Sequence, residues 1–230
     1  MIMELPNHIG VIVDGNRRWA KAQGLPAMEG HRQGYRRVQQ MARWLFKRQV
    51  AWVTFYLFST ENWQRHPTEV KYLFKLFENS IKTETSKLVK DGIRLLFVGD
   101  RLALPTPLPK LMAAAEQATK AGRKGNLVAA INYGGRQAIV EGVKQLARQG
   151  QDLRQLTAEQ LKTSLTSREL PDLDLVIRTS GEQRLSNFLL WESAYAELYF
   201  SPKYFPEFDE ADLESVLDWY SRRQRRFGGD

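Results

Sequence analysis

The sequence contains no cysteine and only three histidines, at positions 8, 31 and 66. The absence of cysteine excludes disulfide bonds and thiolate metal sites. The three histidines are scattered, so the sequence offers no zinc-binding cluster. The Walker-type lysine motif and the Gly-x-Gly-x-x-Gly motif are also missing, which argues against a nucleotide-binding enzyme.

Long apolar runs are missing as well. No stretch of about 18 apolar residues is present, so the sequence predicts no transmembrane helix. The first residues lack a basic segment followed by an apolar one, and we expect a cytoplasmic protein. The 230 residues carry 34 Lys and Arg against 26 Asp and Glu, a net charge of +8. This excess favours an anionic partner, and composition leaves nucleic acid, anionic lipid and phosphorylated small molecules open.

Short apolar runs alternate with stretches whose apolar residues recur at helical spacing. This alternation predicts an α/β fold with a mostly parallel sheet covered by helices on both faces. No linker divides the chain, so we expect a single domain over residues 1–230. Strands are predicted at Ile9–Val13, Val53–Phe58, Ile93–Val98, Leu127–Ile131, Leu173–Ile177 and, with a weaker signal, Ala196–Phe200. Helices are predicted around residues 35–46 and 70–81, at Leu108–Ala121, Arg136–Arg148 and Thr157–Leu165, and after Asp209 as N-cap.

Polar clusters follow four of the predicted strands. Asp14–Trp19 follows the first strand, with His31 a little further on, and Ser59–Arg65 follows the second. Asn132–Arg136 follows the fourth strand and Arg178–Asn187 the fifth. Because ligands bind at the carboxyl ends of parallel strands, we expect these clusters to form one site. Carboxylate suits Mg²⁺, and the planar guanidinium of arginine suits phosphate, so two arginine-bearing clusters indicate two phosphate-bearing ligands.

Each cluster also has a purely structural interpretation. The hexapeptide that begins at Asp14 could be a solvated, charged turn, and Asn132–Arg136 could be an ordinary turn into a helix. Glu61 and Arg65 could form a surface pair four residues apart. His31 could be a hydrogen-bonded residue at a helix start. The coincidence of all the clusters at one predicted edge favours the functional interpretation.

The chain resembles the cis-prenyltransferases, the undecaprenyl diphosphate synthase family, nearly end to end. The resemblance implies a six-stranded, mainly parallel sheet surrounded by helices, and a homodimer. It also implies condensation of isopentenyl diphosphate with an allylic diphosphate of the farnesyl or geranyl type, with Mg²⁺ as cofactor. The products would be a Z-polyprenyl diphosphate and diphosphate. The lipid product could bring the protein to a membrane surface, and no nucleic acid is implied. The matching segments are His8–Ala20, residues 29–31, Phe58–Arg65, Asn132–Arg136, Asp174–Phe200 and residues 225–229.

The same resemblance assigns residues to the reaction. Asp14 would act with Mg²⁺ on the allylic diphosphate, and Asn16 and Asn62 would lie near the proton that is lost. Glu197 would be a second metal ligand, although it could instead be a buried carboxylate that caps a strand. The allylic substrate would be held by Gly15, Asn16, Arg17, Arg18, Trp19, His31 and, on a mobile loop, Ser59, Glu61, Trp63 and Arg65.

The resemblance also implies a second substrate site and an apolar tunnel. Isopentenyl diphosphate would be bound by Arg178, Arg184 and Ser186, with Arg226 and Gly228 of a C-terminal motif that reaches across the dimer. Each candidate tunnel residue could equally be ordinary core. The candidates are Leu57, Leu73, Phe74, Phe77, Ile81, Leu96, Val98 and Ile131.

Four positions depart from the family pattern, namely Arg17, Ala27, Leu57 and Ala138, and two of them bear most directly on substrate and product. Ala27 stands where the family commonly has an arginine, which would weaken binding of the allylic diphosphate unless Arg17 substitutes. Leu57 stands where long-chain bacterial members usually have a small residue, which favours a shorter product.

Three alternatives to chain elongation follow from the sequence. One is an atypical member that makes short, branched or cyclised prenyl diphosphates. Another is a catalytically silent partner subunit, which is disfavoured because such subunits tend to lose residues equivalent to Asp14 and Arg178. The last is a basic nucleic-acid-binding protein, which is disfavoured because the arginines cluster at strand ends.

Overall fold

Six parallel strands form one sheet in the structure, a computed structural model that describes residues 5–223. The strands are β1 (His8–Ile12), β2 (Trp52–Ser59), β3 (Ile93–Val98), β4 (Gly125–Tyr133), β5 (Leu175–Arg178) and β6 (Glu197–Phe200). They lie in the order β3-β4-β2-β1-β5-β6, and every neighbouring pair is parallel. The predicted α/β sheet is therefore confirmed. The predicted strand bounds differ most from the observed ones at β4 and β5. The predicted strand starts two residues too late at β4 and two residues too early at β5.

Within residues 5–223, seven α-helices connect and cover these strands. They are α1 (Asn16–Ala22), α2 (Ala27–Lys47), α3 (Pro67–Asp91), α4 (Leu108–Thr119), α5 (Gly135–Arg148), α6 (Ala158–Ser164) and α7 (Glu210–Ser221). Pro67 occupies the first position of α3, where its missing N–H costs nothing. Asp209 caps α7 by accepting from the backbone N–H of Asp212, as the sequence predicts. Helix α2 begins eight residues before the predicted range, because its first turns carry polar residues and two glycines.

The two faces of the sheet bury different sets of side chains. Leu95 and Phe97 of β3 pack with α3 and α4 on one face. Leu96 and Val98 point to the opposite face, where they pack with Val128 and Phe188. Because side chains of a strand alternate between faces, neighbours in sequence enter different cores.

The order of the strands reverses direction at β1. Strand β1 lies between β2 and β5, so the strands that follow it in sequence are added first on one side of β1 and later on the other. Crevices form outside the carboxyl ends of strands at such a switch point. Asp14 follows β1 directly, and Arg178 is the last residue of β5, aligned with Ile12.

The buried His8 predicts a pH-dependent stability. Its Nδ1–H donates to the carbonyl of Pro171 at 2.9 Å, and its Nε2 accepts from the Thr54 hydroxyl at 2.8 Å. Burial lowers its pKa from 6.5 to about 4, against the opposing effects of Pro171 and Asp174. The unfolded chain therefore binds an extra proton between these values, and stability rises with pH through this window.

Wild-type protein should lose about 3 kcal/mol of unfolding free energy through this group as the pH falls from about 7 to 4. His8→Gln, which cannot titrate, should be less stable at pH 7 and show a smaller loss. Denaturant unfolding of both proteins at several pH values measures this difference. Parallel pH curves for the two proteins would contradict the role of His8.

Candidate active site

A cleft of about 1080 Å³ lies at the carboxyl ends of the strands and is lined by residues from all four predicted clusters, the Asn132–Arg136 cluster contributing Arg136. The sequence hypothesis of one shared site therefore agrees with the geometry. Of the predicted site residues, those that line the cleft are Asp14, Gly15, Asn16, Arg17, Arg18, His31, Leu57, Ser59, Glu61, Asn62, Arg65, Leu73, Arg178 and Ser186.

Asp14 lies at the centre of the charged groups in this cleft. Its Oδ2 accepts a hydrogen bond from Arg178 at 2.9 Å, and its Oδ1 lies 3.2 Å from the guanidinium of Arg18. The N–H of Gly15 also donates to Oδ1, at 2.7 Å. Burial raises the pKa of Asp14, but the hydrogen bond and charge of Arg178, then Arg18 and Gly15, outweigh it and hold the pKa below its usual value. Asp14 is therefore anionic at neutral pH.

Arg178 organises the second arginine cluster. The residue is 4% exposed and donates to the Ser186 hydroxyl at 2.7 Å and to the carbonyl of Arg184. Its Nε is buried without a hydrogen-bond partner. Glu182 accepts from Arg184 at 2.5 Å and from Arg18 at 2.8 Å, so one carboxylate links the two arginine clusters. The guanidinium groups of Arg18, Arg178 and Arg184 make this corner suited to an anion with several oxygen atoms.

The first turn of α1 forms the other side of the cleft. Gly15 precedes it with φ +97°, and a Cβ there would lie 2.8 Å from Ser180 Oγ, so glycine is required. No side chain caps the free N–H groups of this turn. Such N–H groups bind phosphate readily. Trp19, on the same helix, does not line the cleft, so its predicted substrate contact is not supported in this structure.

A buried glutamate that sequence reasoning missed holds three of the predicted substrate residues. Glu69, in the first turn of α3, is 8% exposed and accepts from His31 Nε2 at 3.0 Å and from Arg65 at 3.3 Å. Arg17 lies 3.7 Å from the same carboxylate. Burial lowers the pKa of His31, Glu69 opposes this, and the charges of Arg65 and Arg17 add to the lowering. His31 is therefore neutral near pH 7.

Ala27, the first residue of α2, also lines this side of the cleft, as does Lys21 of α1. The side chain of Arg17 is 59% exposed and lies 3.7 Å from the carboxylate of Glu69. That Arg17 takes over the role of the arginine that is missing at position 27 remains a prediction.

Asn16 sits where the cleft meets a second cavity. Its Oδ1 is buried with no hydrogen-bond partner. Helix α2 passes so closely that a Cβ at Gly34 would lie 2.4 Å from this oxygen, and one at Gly30 would lie 2.0 Å from the Asn16 carbonyl. A buried acceptor without a partner in this position is available to accept a hydrogen bond from a ligand.

The segment after β2 is a 3₁₀ turn, Thr60–Gln64, that is tied to three neighbouring elements. Asn62 accepts from the Ser59 N–H at 3.1 Å, which fixes the start of the turn. Glu61 accepts from Asn187 at 3.0 Å, so the proposed surface pair of Glu61 with Arg65 is wrong, and Arg65 pairs with Glu69 instead. Trp63 does not line the cleft.

The Trp63 indole N–H donates to Asn132 at 2.8 Å, and its ring packs on Phe58 and Phe74. Asn132 in turn donates to the carbonyl of Asp100 at 2.9 Å. These contacts support the structural interpretation of the Asn132 turn. These contacts fix the position of Trp63 and of the 3₁₀ turn that carries it.

An apolar cavity of about 370 Å³ adjoins the cleft beneath α2 and α3. The two spaces share the lining residues Val13, Asn16, His31, Leu57 and Leu73, so the cavity borders the cleft along these side chains. Predicted tunnel residues that line this cavity are Leu57, Leu73, Phe77, Ile81 and Ile131.

Three tunnel predictions require correction. Leu96 and Val98 lie in the core of the opposite face, because the alternation along β3 turns them away from α3. Phe74 does not line the cavity, because its ring packs against Phe58 and Trp63.

Glu197 does not meet Asp14 within one chain. It begins β6, aligned with Leu175, whereas Phe200 is aligned with Arg178 at the cleft end. Three residues of strand separate these levels, about 10 Å. Glu197 accepts from Arg223 at 2.8 Å instead, so Asp14 and Glu197 of one chain do not meet at a shared metal, and the role of Glu197 as a metal ligand stays a prediction. Arg226 and Gly228 lie outside the described residues.

The donor set at Asp14 is compatible with Mg²⁺. Among residues 5–223, no group of three or more His, Asp or Glu side chains could hold a metal by itself. Mg²⁺ is commonly bound by one or two carboxylates together with substrate phosphate oxygens and water. Asp14 supplies such a carboxylate, anionic and 29% exposed on its side chain toward the cleft.

Comparison with known proteins decides the family. The pattern of the family described as putative undecaprenyl diphosphate synthase matches residues 12–228. The chain belongs to this family. Isoprenyl transferase 2 of Bradyrhizobium diazoefficiens is 41% identical, over 98% of this chain and 91% of that protein. The tritrans,polycis-undecaprenyl-diphosphate synthase (geranylgeranyl-diphosphate specific) of Thermoplasma acidophilum is 42% identical, over 97% of this chain and 89% of that protein.

Solved structures agree with this membership of the undecaprenyl diphosphate synthase family. Lavandulyl diphosphate synthase from Lavandula x intermedia, in complex with dimethylallyl diphosphate, has a TM-score of 0.93 and 34% identity. That match covers 97% of this chain and 98% of the other. A probable undecaprenyl diphosphate synthase from Campylobacter jejuni has a TM-score of 0.81 and 30% identity, over 98% and 99% of the two chains. The family resemblance read from the sequence is confirmed.

Proposed function

We propose that this chain condenses isopentenyl diphosphate with an allylic diphosphate and so elongates a Z-polyprenyl chain. The observation that carries the proposal is the Asp14–Arg178 pair, which joins the two arginine clusters in a cleft that borders an apolar cavity. Two diphosphates and one hydrocarbon tail are the ligands that such a site accommodates. The atypical reactions, branching or cyclisation, are outcomes of the same assay.

The allylic diphosphate would bind on the α1 side of the cleft. The free N–H groups at the start of α1 and the guanidinium groups of Arg18 and Arg65 face this space. When the C1–O bond of the allylic substrate breaks, negative charge builds up on the departing diphosphate. Fixed cations and N–H groups stabilise that charge. A Mg²⁺ ion held by Asp14 and the diphosphate would supply further stabilisation of the leaving group.

Isopentenyl diphosphate would bind on the other side, at Arg178, Arg184 and Ser186. Its C4 forms the new bond to C1 of the allylic substrate, and C2 loses a proton. We assign that proton to an oxygen of the released diphosphate. The unpaired Asn16 Oδ1, at the junction of cleft and cavity, would orient the reacting groups there. The growing tail would then extend into the apolar cavity.

A homodimer fits the edge of the sheet. Strand β6 is an edge strand, and its Leu198 is 39% exposed. An exposed apolar edge strand is a ready surface for pairing with a second copy.

Purified protein with Mg²⁺, labelled isopentenyl diphosphate and geranyl, farnesyl or geranylgeranyl diphosphate tests the proposal. We expect extended products whose new double bonds are Z, read by mass spectrometry and NMR after dephosphorylation. Omission of Mg²⁺ should abolish the product. Failure of all three primers to extend would contradict the proposed reaction. Branched products would contradict linear chain elongation, and E-configured products would contradict its stereochemistry.

Leu57 is expected to limit product length. It lines both the cleft and the apolar cavity, so its side chain narrows the neck between them. Leu57→Ala should widen this neck and shift the product distribution toward longer chains. Leu96→Ala is the control, because Leu96 is a buried leucine of the neighbouring part of the sheet that lies on the opposite face. The control should lose about 2–5 kcal/mol of stability without a change in chain length. An unchanged product distribution in Leu57→Ala would contradict the proposal that Leu57 limits product length.

A further inference from the structure

The apolar cavity reaches the protein surface at its far end. Side chains near the carboxyl ends of α2 and α3 and the start of β4 line it there. Arg43, Lys87, Asp91 and Lys124 line the cavity and are exposed to solvent. This mouth lies at the amino ends of the strands, opposite the cleft. The apolar wall just inside it includes Phe46, Leu88 and Ile93.

Basic side chains surround this mouth. Lys47 follows Arg43 by four residues on α2, and Lys90 follows Lys87 by three on α3, so each pair shares one helix face. Arg123 is next to Lys124, whose backbone N–H donates to the carbonyl of Gly92 at the end of α3. We call these six residues the distal rim, namely Arg43, Lys47, Lys87, Lys90, Arg123 and Lys124.

Most of the charge of the distal rim is not neutralised. Glu84 accepts from Lys87 at 2.8 Å, and Asp91 is the other carboxylate at the mouth. Across residues 5–223, no ion pair involves the remaining five residues of the rim. The mouth is thus an apolar opening next to basic side chains, most of which have no ion-pair partner among the described residues.

We propose that the distal rim docks on an anionic lipid bilayer, and that the tail of the product leaves the cavity there into the membrane. The proposal rests on the proposed function, which places a hydrocarbon tail in this cavity. Basic side chains next to an apolar surface are attracted by anionic headgroups, while the apolar part meets the acyl region. A nucleic acid would match the charge but offers no apolar phase for the cavity. The observations therefore favour a bilayer.

Vesicle flotation tests the docking surface with the full chain. Wild-type protein should float with vesicles of phosphatidylcholine mixed with phosphatidylglycerol, and should not float with phosphatidylcholine alone. Raised salt should release it, because exposed charges are screened. Failure to float with the mixed vesicles at low salt would overturn the proposal. Equally tight binding to single-stranded RNA, with competition against the vesicles, would also overturn it in favour of a nucleic-acid surface.

A triple variant assigns the binding to the rim. Lys47→Gln, Lys90→Gln and Arg123→Gln together remove three rim charges that do not line the cavity. Each charge near an anionic surface contributes about fivefold to binding, so the variant should partition roughly 100-fold less into the mixed vesicles. The matched control replaces two exposed lysines and one exposed arginine elsewhere, as Lys71→Gln, Lys110→Gln and Arg148→Gln. Unchanged partitioning of the rim variant, or an equal loss in the control, would overturn the proposal.

The same variants separate this proposal from the proposed function. One condensation on geranyl diphosphate without vesicles should proceed at the wild-type rate in both triple variants. Vesicle binding that depends on the rim, in a protein that extends no primer, would reject the proposed function but leave the docking surface in place. Normal extension without vesicle binding would reject the docking surface alone.

Discussion

Asp14→Ala is expected to lower turnover by about 10²- to 10³-fold or more, because it removes the carboxylate at the centre of the charged cleft. The fold should persist, since Arg178 keeps its hydrogen bonds to Ser186 and to the carbonyl of Arg184. The affinity for isopentenyl diphosphate should not fall, because Arg178 loses its competing anionic partner. Steady-state kinetics and circular dichroism measure the two effects separately.

Two further variants make this result specific. Asp14→Asn keeps an acceptor oxygen for Arg178 without the negative charge, and we expect it to lose nearly as much turnover as alanine. Asp172→Ala removes an exposed carboxylate that pairs with Lys162 away from the cleft. That control should retain turnover within about twofold, as surface substitutions usually do. Near-normal turnover in Asp14→Asn would reject the role given to the charge.

Arg178→Lys should also lower the activity strongly, as the Asp14 variants do, although it keeps the positive charge. Arg178 donates to Asp14, Ser186 and the Arg184 carbonyl in one planar arrangement, which lysine cannot reproduce. The loss of one hydrogen bond to a charged group costs about 1.5–3 kcal/mol. We therefore expect kcat/KM for isopentenyl diphosphate to fall about 10- to 150-fold. Kinetics at saturating allylic diphosphate measure this value.

Arg48→Lys is the matched control for this substitution. Arg48 also bonds two carboxylates, Glu210 and Glu214, but it lies outside the cleft. Its substitution should leave kcat/KM unchanged. An equal fall in both variants, or no fall in Arg178→Lys, would contradict the assignment of Arg178 to the second diphosphate.

The site could be predicted where chemistry follows strand ends. Asp14 and Arg178 are 164 residues apart, yet each follows or ends a parallel strand, and neighbouring strand ends must meet. Glu69 could not be found in this way. It occupies the third position of α3, where an acidic residue ordinarily stabilises the helix start, so its sequence context gives no sign of three basic partners.

The remaining differences between prediction and structure concern the face to which a side chain points and the end of a strand at which it lies. The apolar run of β3 shows which residues are buried but not which face each one joins, so the sequence alone predicts the wrong core for Leu96. Glu197 belongs to a correctly predicted strand but lies at its amino end, away from the cleft. Register and face depend on tertiary pairing, which a continuous apolar run does not encode.

A crystal structure with isopentenyl diphosphate, Mg²⁺ and a thio-analogue of the allylic diphosphate that cannot ionise tests the central claim most directly. The claim predicts one diphosphate on the N–H groups at the start of α1, and the other on Arg178, Arg184 and Ser186. The hydrocarbon tail should pass Leu57 into the cavity beneath α2 and α3. A tail that lies outside this cavity, or two diphosphates bound away from the Asp14–Arg178 pair, would contradict the account.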